Sequence, residues 1–455
     1  MKFTLSAVRA YGALTLVVAC LGLMPPNWLV AASAPYLELG PMVGHTTPTE
    51  TRLWAKASAA SRLSVRVGTN ADLAVGRTVR GPALQPETGL MGQVLVDGLE
   101  PKTRYYYCLW LDGKPAMLPP YPSLTTAPPD AVPGHVRFAF ASCVGNHGYD
   151  ATAGYADLAR TNVDLLLMLG DNVYSNTNDP VVQRRFYFEQ RDTAGWRGLA
   201  PRLPIYAIWD DHDFGPDNSD GTMRGKELCL RTFKEHWANP AYGEPDNLGV
   251  YFKFRRSDVD FFMLDGRYYR DPNKATNLTH KTMLGEKQLA WLKRELKESR
   301  ATIKVLASGG EWQANGTEDS WRSFKRERDD LFKFVQDNSI GGVLLISGDR
   351  HYTGAYQVEG RYIEVTTGPI GSAPATARNA PESFLNFSAT KGHFYCIYDL
   401  ETAVTPPKVT LEVLRVGDGL AERRVFSWDE VTGAAKIKTL PPPPKETPSR
   451  KANAQ

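Results

Sequence analysis

The sequence predicts a layered α/β fold preceded by a small β-sandwich, and three observations carry that expectation. Short alternating runs crowd the segment from about Tyr36 to Thr126. After Pro128, Pro129 and Pro133 the texture changes to continuous apolar runs of strand length. Helical patterns stand between those runs, and alternating strands and helices build layered α/β domains.

A chain of 455 residues exceeds what one hydrophobic core usually serves, so two domains are expected. The 53 basic and 50 acidic residues leave a net charge of +3, too balanced to demand nucleic acid or an anionic membrane as partner. No nucleic-acid partner is therefore expected. Any affinity for an anionic substrate has to come from a site.

Residues 1–34 have the form of an export signal, with Lys2 and Arg9 before an apolar stretch from Ala13 to Leu23 and small residues at Ala31 to Ala34. The apolar run is short for a membrane span, so no transmembrane segment is expected once the signal is removed. Val17-Val18-Ala19-Cys20 also has the form of a lipoprotein cleavage site, which makes a lipid anchor at Cys20 the second reading. Either way the protein is expected outside the cytoplasm, periplasmic or extracellular.

Residues 35–128 carry TRLWAKAS, RLSVRVGT, MGQVLVDG, TRYYYCLWLDG and SLTTAPP, spaced as the strands of a small sandwich are. Nothing there concentrates catalytic residue types, so this domain is expected to support the site or shape substrate access. The prolines that follow remove donors and fix the backbone, as a linker does.

Residues 134–430 then hold VRFAFASC, DLLLMLGD, PIYAIWDD, DFFMLDGR, IKVLASGG and GGVLLISGD, runs suited to strands covered on both faces. Gln288 to Glu298 places Leu289, Leu292 and Leu296 on one helical face, and Arg326 to Gln336 does the same with Leu331, Phe332 and Val335. Pro180 to Pro240 is expected to supply helices and loops over the site. YIEVTTG, HFYCIYDL and VTLEVLRV are expected to form a second sheet. Residues 440–455, with four consecutive prolines, lack core-forming side chains and are expected to be disordered.

Four motifs end apolar strands in polar residues: ASC (Ala141 to Cys143), GDNVY (Gly170 to Tyr174), WDDHD (Trp209 to Asp213) and SGDRHY (Ser347 to Tyr352). Open α/β sheets bind ligands beyond the carboxyl ends of their strands. Carboxylates gathered there repel one another, and a multivalent cation is the usual way to hold them. Asp171, Asp211 and Asp349 are candidate ligands, whereas Asp213 and Asp265 are balanced between that role and capping. Cys143 alone would be a core thiol, as Cys108, Cys229 and Cys396 are expected to be. With Asp171, Tyr174 and His351 it becomes a ligand, because thiolate, phenolate, imidazole and carboxylate together suit a transition metal such as iron.

These motifs, in this order, resemble those of the alkaline phosphatase D (PhoD-like) family of the calcineurin-like metallophosphoesterase superfamily. LEPKTRYYYCLWLDG, LDGRYYR and MLGEKQLAWLKREL extend the resemblance over most of the chain. It implies a calcineurin-like β-sandwich flanked by helices (αββα), behind a fibronectin type III-like sandwich. It also implies a binuclear centre, with ferric iron at Cys143, Asp171, Tyr174 and His351. Calcium or another divalent ion would sit at Asp171, Asp211 and Asp349.

His212 takes the place of the unligated catalytic histidine, and Asp213 beside it is a second catalytic candidate. Arg350 and Arg267 are candidates for binding substrate phosphate, since a guanidinium can hold two phosphate oxygens. Glu311 stands where the superfamily has a separate histidine ligand.

The expected function is exported, metal-dependent hydrolysis of phosphomonoesters or phosphodiesters by a hydroxide held between two metals. Three alternatives stay open: a phospholipase D-like phosphodiesterase, a thiol hydrolase using Cys143 with His212 or His351 as base, and a non-catalytic surface-binding protein whose metals are structural.

Overall fold

The computed structural model describes residues 34–145, 150–276, 280–314, 316–375, 383–385 and 392–437. The expected signal segment, Cys20 and the expected tail at 440–455 lie outside the described residues.

After the proline-rich stretch, apolar runs build two six-stranded sheets. In the first, Ile205–Ile208, Leu165–Leu169 and His135–Ala141 lie side by side and parallel. Phe394–Glu401, Lys408–Arg415 and Gly419–Phe426 continue that sheet antiparallel. In the second, Val259–Met263, Ile303–Ala307, Val343–Ser347 and Tyr362–Thr366 run parallel, and Phe252–Arg256 and Gly354–Val358 close the edges antiparallel. The last strands thus depart from expectation: HFYCIYDL and VTLEVLRV extend the first sheet, while YIEVTTG belongs to the second. Apolar pattern identifies a strand but carries no information about which edge it joins.

The two sheets share one core. Phe138 of the first meets Phe261 of the second edge to face, with ring centroids 5.1 Å apart, an arrangement worth about 0.5–1.5 kcal/mol beyond its buried area. On the outer face of the second sheet, helix Glu286–Glu298 buries Leu292 and Leu296, and helix Lys325–Asp337 buries Leu331 and Val335. Each such side chain contributes roughly 1.5–3 kcal/mol on leaving water. Helices Pro180–Asp192, Ala194–Leu199 and Lys226–His236 come from the aromatic-rich segment expected to supply them.

The N-terminal module pairs a three-stranded sheet (Leu37–Thr46, Thr51–Ala57, Met91–Val96) with a five-stranded one around an aliphatic core. It does not hang on its proline linker. Trp54 is fully buried and donates its indole N–H to the Glu235 carbonyl at 2.8 Å, Tyr107 donates to the Pro201 carbonyl at 2.6 Å, and the Val43 N–H reaches the Ala200 carbonyl at 2.9 Å. The described residues from Pro35 onward accordingly form one compact unit. No helix among the described residues is long and apolar enough to cross a membrane.

Candidate metal centre

Parallel neighbours deliver their carboxyl ends to one side, so the strand ends 141, 169 and 208 of the first sheet open on a common rim. The ends of Ile303–Ala307 and Val343–Ser347 do the same for the second sheet. The two rims meet at the candidate ligands.

The backbone turns sharply where the ligands stand. Cys143, Asp171, Asp349 and His351 all have positive φ, at +57°, +51°, +70° and +54°. Left-handed backbone costs a non-glycine residue roughly 1–2 kcal/mol, and such strain persists where the surroundings hold it, most often at functional sites. Gly170, at φ +102°, allows the close approach: a Cβ there would lie 2.6 Å from the Cβ of Asp210.

One group forms around sulfur. Ligand atoms of Cys143, Asp171 and His351 all lie within 4.8 Å of one another. The Cys143 thiol is 3.5 Å from Asp171 Oδ2, the Tyr174 hydroxyl is 3.3 Å from the same oxygen, and Tyr174 Oη is 2.7 Å from His351 Nε2. His351 Nδ1 lies 2.7 Å from the Ala373 carbonyl oxygen. That contact fixes a proton on Nδ1 and turns the Nε2 lone pair inward, the usual arrangement of a metal-ligating histidine.

The other group is built of carboxylates. Asp171, Asp211 and His212 form one triple, and Asp210, Asp211 and Asp349 form another, each with its ligand atoms within 4.8 Å. The expected set of Asp171, Asp211 and Asp349 is therefore assembled as two overlapping triples sharing Asp211. His212, expected beside the metals, stands at ligand distance from Asp171 and Asp211. Asp210, which is not among the expected ligands, joins Asp349.

The electrostatics call for cations. Burial, then the neighbouring Cys143, Asp211, Asp210 and Asp349, pushes the Asp171 carboxyl well above the ordinary range. Burial followed by Asp210, Asp319 and Asp211 does the same to Asp349, and burial pushes the Cys143 thiol up to about 12. Among the described residues, Asp171 Oδ1, Asp210 Oδ2 and Asp211 Oδ1 are buried without a hydrogen-bond partner. Orphaned buried carboxylate oxygens crowded by like charge are places that a cation would fill. The residues present fit a two-ion centre: a mixed sulfur, phenolate, imidazole and carboxylate set on one side, and an all-carboxylate set, with His212 beside it, on the other.

Two expected site residues have other work. Asp213 points away from the rim, where its carboxylate accepts the N–H groups of Asn172 at 3.0 Å, Val173 at 3.2 Å and Asp210 at 3.1 Å, and the Tyr187 hydroxyl at 3.2 Å. It ties the GDNVY turn to the WDDHD turn and is a positioning group, not a catalytic one. Arg267 is fully buried and is not a phosphate ligand. Its guanidinium bonds Asp210 and Asp319 and stands 3.6 Å from Asp211 Oδ1, so its charge is consumed behind the carboxylates. Asp265 is likewise structural, accepting the Trp209 indole N–H at 2.7 Å and the Val250 N–H at 2.9 Å.

Arg350 is partly exposed, with Nε 2.9 Å from Glu311 Oε2. His212 Nδ1 bonds the Asn176 side-chain oxygen, its Nε2 lies 3.6 Å from Asp217 Oδ1, and its ring lies tilted by 36° against Tyr174 with centroids 4.2 Å apart. Asn176, Asp217 and Asp319 carry no strand-end signal, which is why sequence reasoning missed them.

Two facing sheets with outer helices, meeting at a rim of carboxylate, imidazole, thiol and phenol, define the metallophosphoesterase class of fold. The family description PhoD-like phosphatase matches residues 138–394, more than half of the chain, and the protein belongs to that family. A domain of unknown function (DUF7800) matches residues 34–129.

Alkaline phosphatase D of Bacillus subtilis (strain 168) is 26% identical over 312 residues, covering 57% of this chain and 52% of that protein. The chain thus spans about half the length of that relative. Purple acid phosphatase 23 of Arabidopsis thaliana is 26% identical over 340 residues, covering 69% of this chain and 68% of that protein. A solved structure of PhoD superposes with a TM-score of 0.74 at 19% identity, covering 90% of this chain and 94% of that one, which bears on the fold alone.

Proposed function

We propose that this protein is an exported, metal-dependent phosphoesterase that hydrolyses phosphomonoesters or phosphodiesters. The observation that carries the proposal is the convergence of Cys143, Asp171, Tyr174 and His351 with Asp210, Asp211 and Asp349 at one rim, where buried carboxylate oxygens lack partners. Family membership and the relatedness to phosphatases support the same class of reaction.

In this reading Cys143, Asp171, Tyr174 and His351 hold one ion, iron being the metal their chemistry suits, and Asp171, Asp211 and Asp349 hold a hard divalent ion such as calcium. When bound, such a pair supplies an activated water and neutralises phosphate oxygens. His212 holds the proton that the departing alkoxide needs. With Nδ1 engaged by Asn176, Nε2 is the nitrogen that presents it, with Asp217 Oδ1 3.6 Å away. Arg350 meets the phosphate from the opposite strand end. Export rests on the character of residues 1–34.

Elemental analysis of purified protein, with a visible spectrum, tests this reading. Iron with a tyrosinate charge-transfer band, plus a second bound cation, is expected; protein free of bound metal yet active on phosphate esters would overturn it.

A further inference from the structure

Arg350 is gripped on two sides by groups that the proposed chemistry does not use. Glu311, fully buried just beyond strand Ile303–Ala307, sets Oε2 2.9 Å from Arg350 Nε. The Tyr352 ring lies under the guanidinium, its centroid 5.3 Å from Cζ. Tyr352 also donates its hydroxyl to Glu311 Oε1 at 2.8 Å, and Gln313 donates to the same oxygen at 3.2 Å.

Behind Glu311 stands a second buried carboxyl, Glu364, which accepts the Trp312 N–H and the Ser347 hydroxyl, both at 2.7 Å. Burial and then the Glu311 charge push Glu364 up, towards its neutral form. Burial raises the Glu311 carboxyl as well, with the Arg350 charge opposing it.

Burying a carboxylate to hold one arginine costs several kcal/mol in desolvation, which a stability role repays poorly. The arginine so held lies between Asp349 and His351, two residues that face the metal rim, and its side chain keeps 17% exposure. A long flexible side chain loses rotamer freedom on binding phosphate, and an arginine held against a buried carboxylate and a ring face by charge and stacking has lost part of it beforehand.

We infer that Glu311, with Tyr352, is a positioning residue that pre-sets the Arg350 guanidinium for the substrate phosphate, acting on substrate affinity and not on the chemical step. The inference rests on the phosphoesterase reading and deepens it.

Steady-state kinetics of the full-length protein on p-nitrophenyl phosphate, with inorganic phosphate as competitive inhibitor, test it. E311Q, which keeps the shape and removes the charge, is expected to raise KM and the phosphate inhibition constant together by about tenfold, the scale of one charge-assisted contact. The kcat should stay within about twofold of the parent, and R350A should produce the same split. In the E311Q/R350A double variant the two effects should not add.

Should E311Q fail to fold, Y352F, which removes the hydroxyl donated to Glu311, is expected to show a smaller split in the same direction. Unchanged KM in E311Q beside a raised KM in R350A would overturn the inference and leave the phosphoesterase reading intact. Additive effects would overturn it as well. Unchanged KM in both variants would remove Arg350 from the substrate site, whereas loss of the reading itself would show as activity that needs no metal.

Discussion

At the residue scale, four left-handed turns, at Cys143, Asp171, Asp349 and His351, bring thiol, carboxylates and imidazole into one space. Cys143, Asp171, Asp349 and His351 were legible because each follows a run of buried apolar residues. Their left-handed conformations, which turn the side chains into a common space, have no signature in residue type. Asp213 and Arg267 were misplaced for a related reason: a polar residue past a strand end faces the rim or the interior according to one turn of backbone. If iron fills the sulfur side of the rim, Tyr174→Phe should abolish its tyrosinate charge-transfer band in a visible spectrum while retaining most of the fold. His212→Ala should lower kcat by roughly 10²-fold or more, the scale of general acid catalysis, with metal content unchanged in elemental analysis. Gly170→Ala should lower both melting temperature and metal content, because the new methyl meets Asp210 at 2.6 Å and overpacking of this kind costs about 1–3 kcal/mol.

At the element scale, the parallel strands were plain because burial on both faces leaves a continuous apolar run. Two sandwich strands were not. Leu37–Thr46 carries Gly40-Pro41, and Arg77–Leu84 is mostly exposed and carries Gly81-Pro82, so both fail an alternation test. Proline is tolerated in a strand at an edge or a bulge, where its missing N–H costs little; Arg77–Leu84 is such an edge, with an irregular register against Ser61–Gly68. Loop-to-loop ties were equally hidden. Asp319 receives Arg267 and Arg270 from another loop and Asn273 beside them. Burial alone would raise the Asp319 carboxyl, but the two guanidiniums outweigh it and hold it below its ordinary 3.8. Its contribution to stability is therefore complete above that value and lost as pH falls through the lower folded-state value. Asp319→Asn should flatten the acid limb of a stability–pH profile followed by denaturant titration, while a variant that keeps the parent's acid limb would refute the tie.

At the scale of the whole molecule, the layered α/β class, the outer helices and the N-terminal sandwich follow from the sequence, but the membership of the two sheets and the docking between modules do not. Trp54 sits in an alternating strand like any other apolar residue, yet it is buried against the helical segment of the other module and belongs to the same core as Phe138 and Trp237. Trp54→Ala should cost about 3–5 kcal/mol, as for other large aromatic truncations, and differential scanning calorimetry should show the parent unfolding in one transition. The claim that matters most is that the rim of thiol, phenol, imidazole and carboxylates holds the ions that perform phosphate-ester hydrolysis. Exhaustive chelation followed by back-titration with iron and a divalent cation, read as hydrolysis of p-nitrophenyl phosphate and its diester, tests it most directly. The account predicts near-complete loss and recovery only when metal is restored. Activity that survives chelation and disappears on thiol alkylation would contradict it, and would make Cys143 a nucleophile.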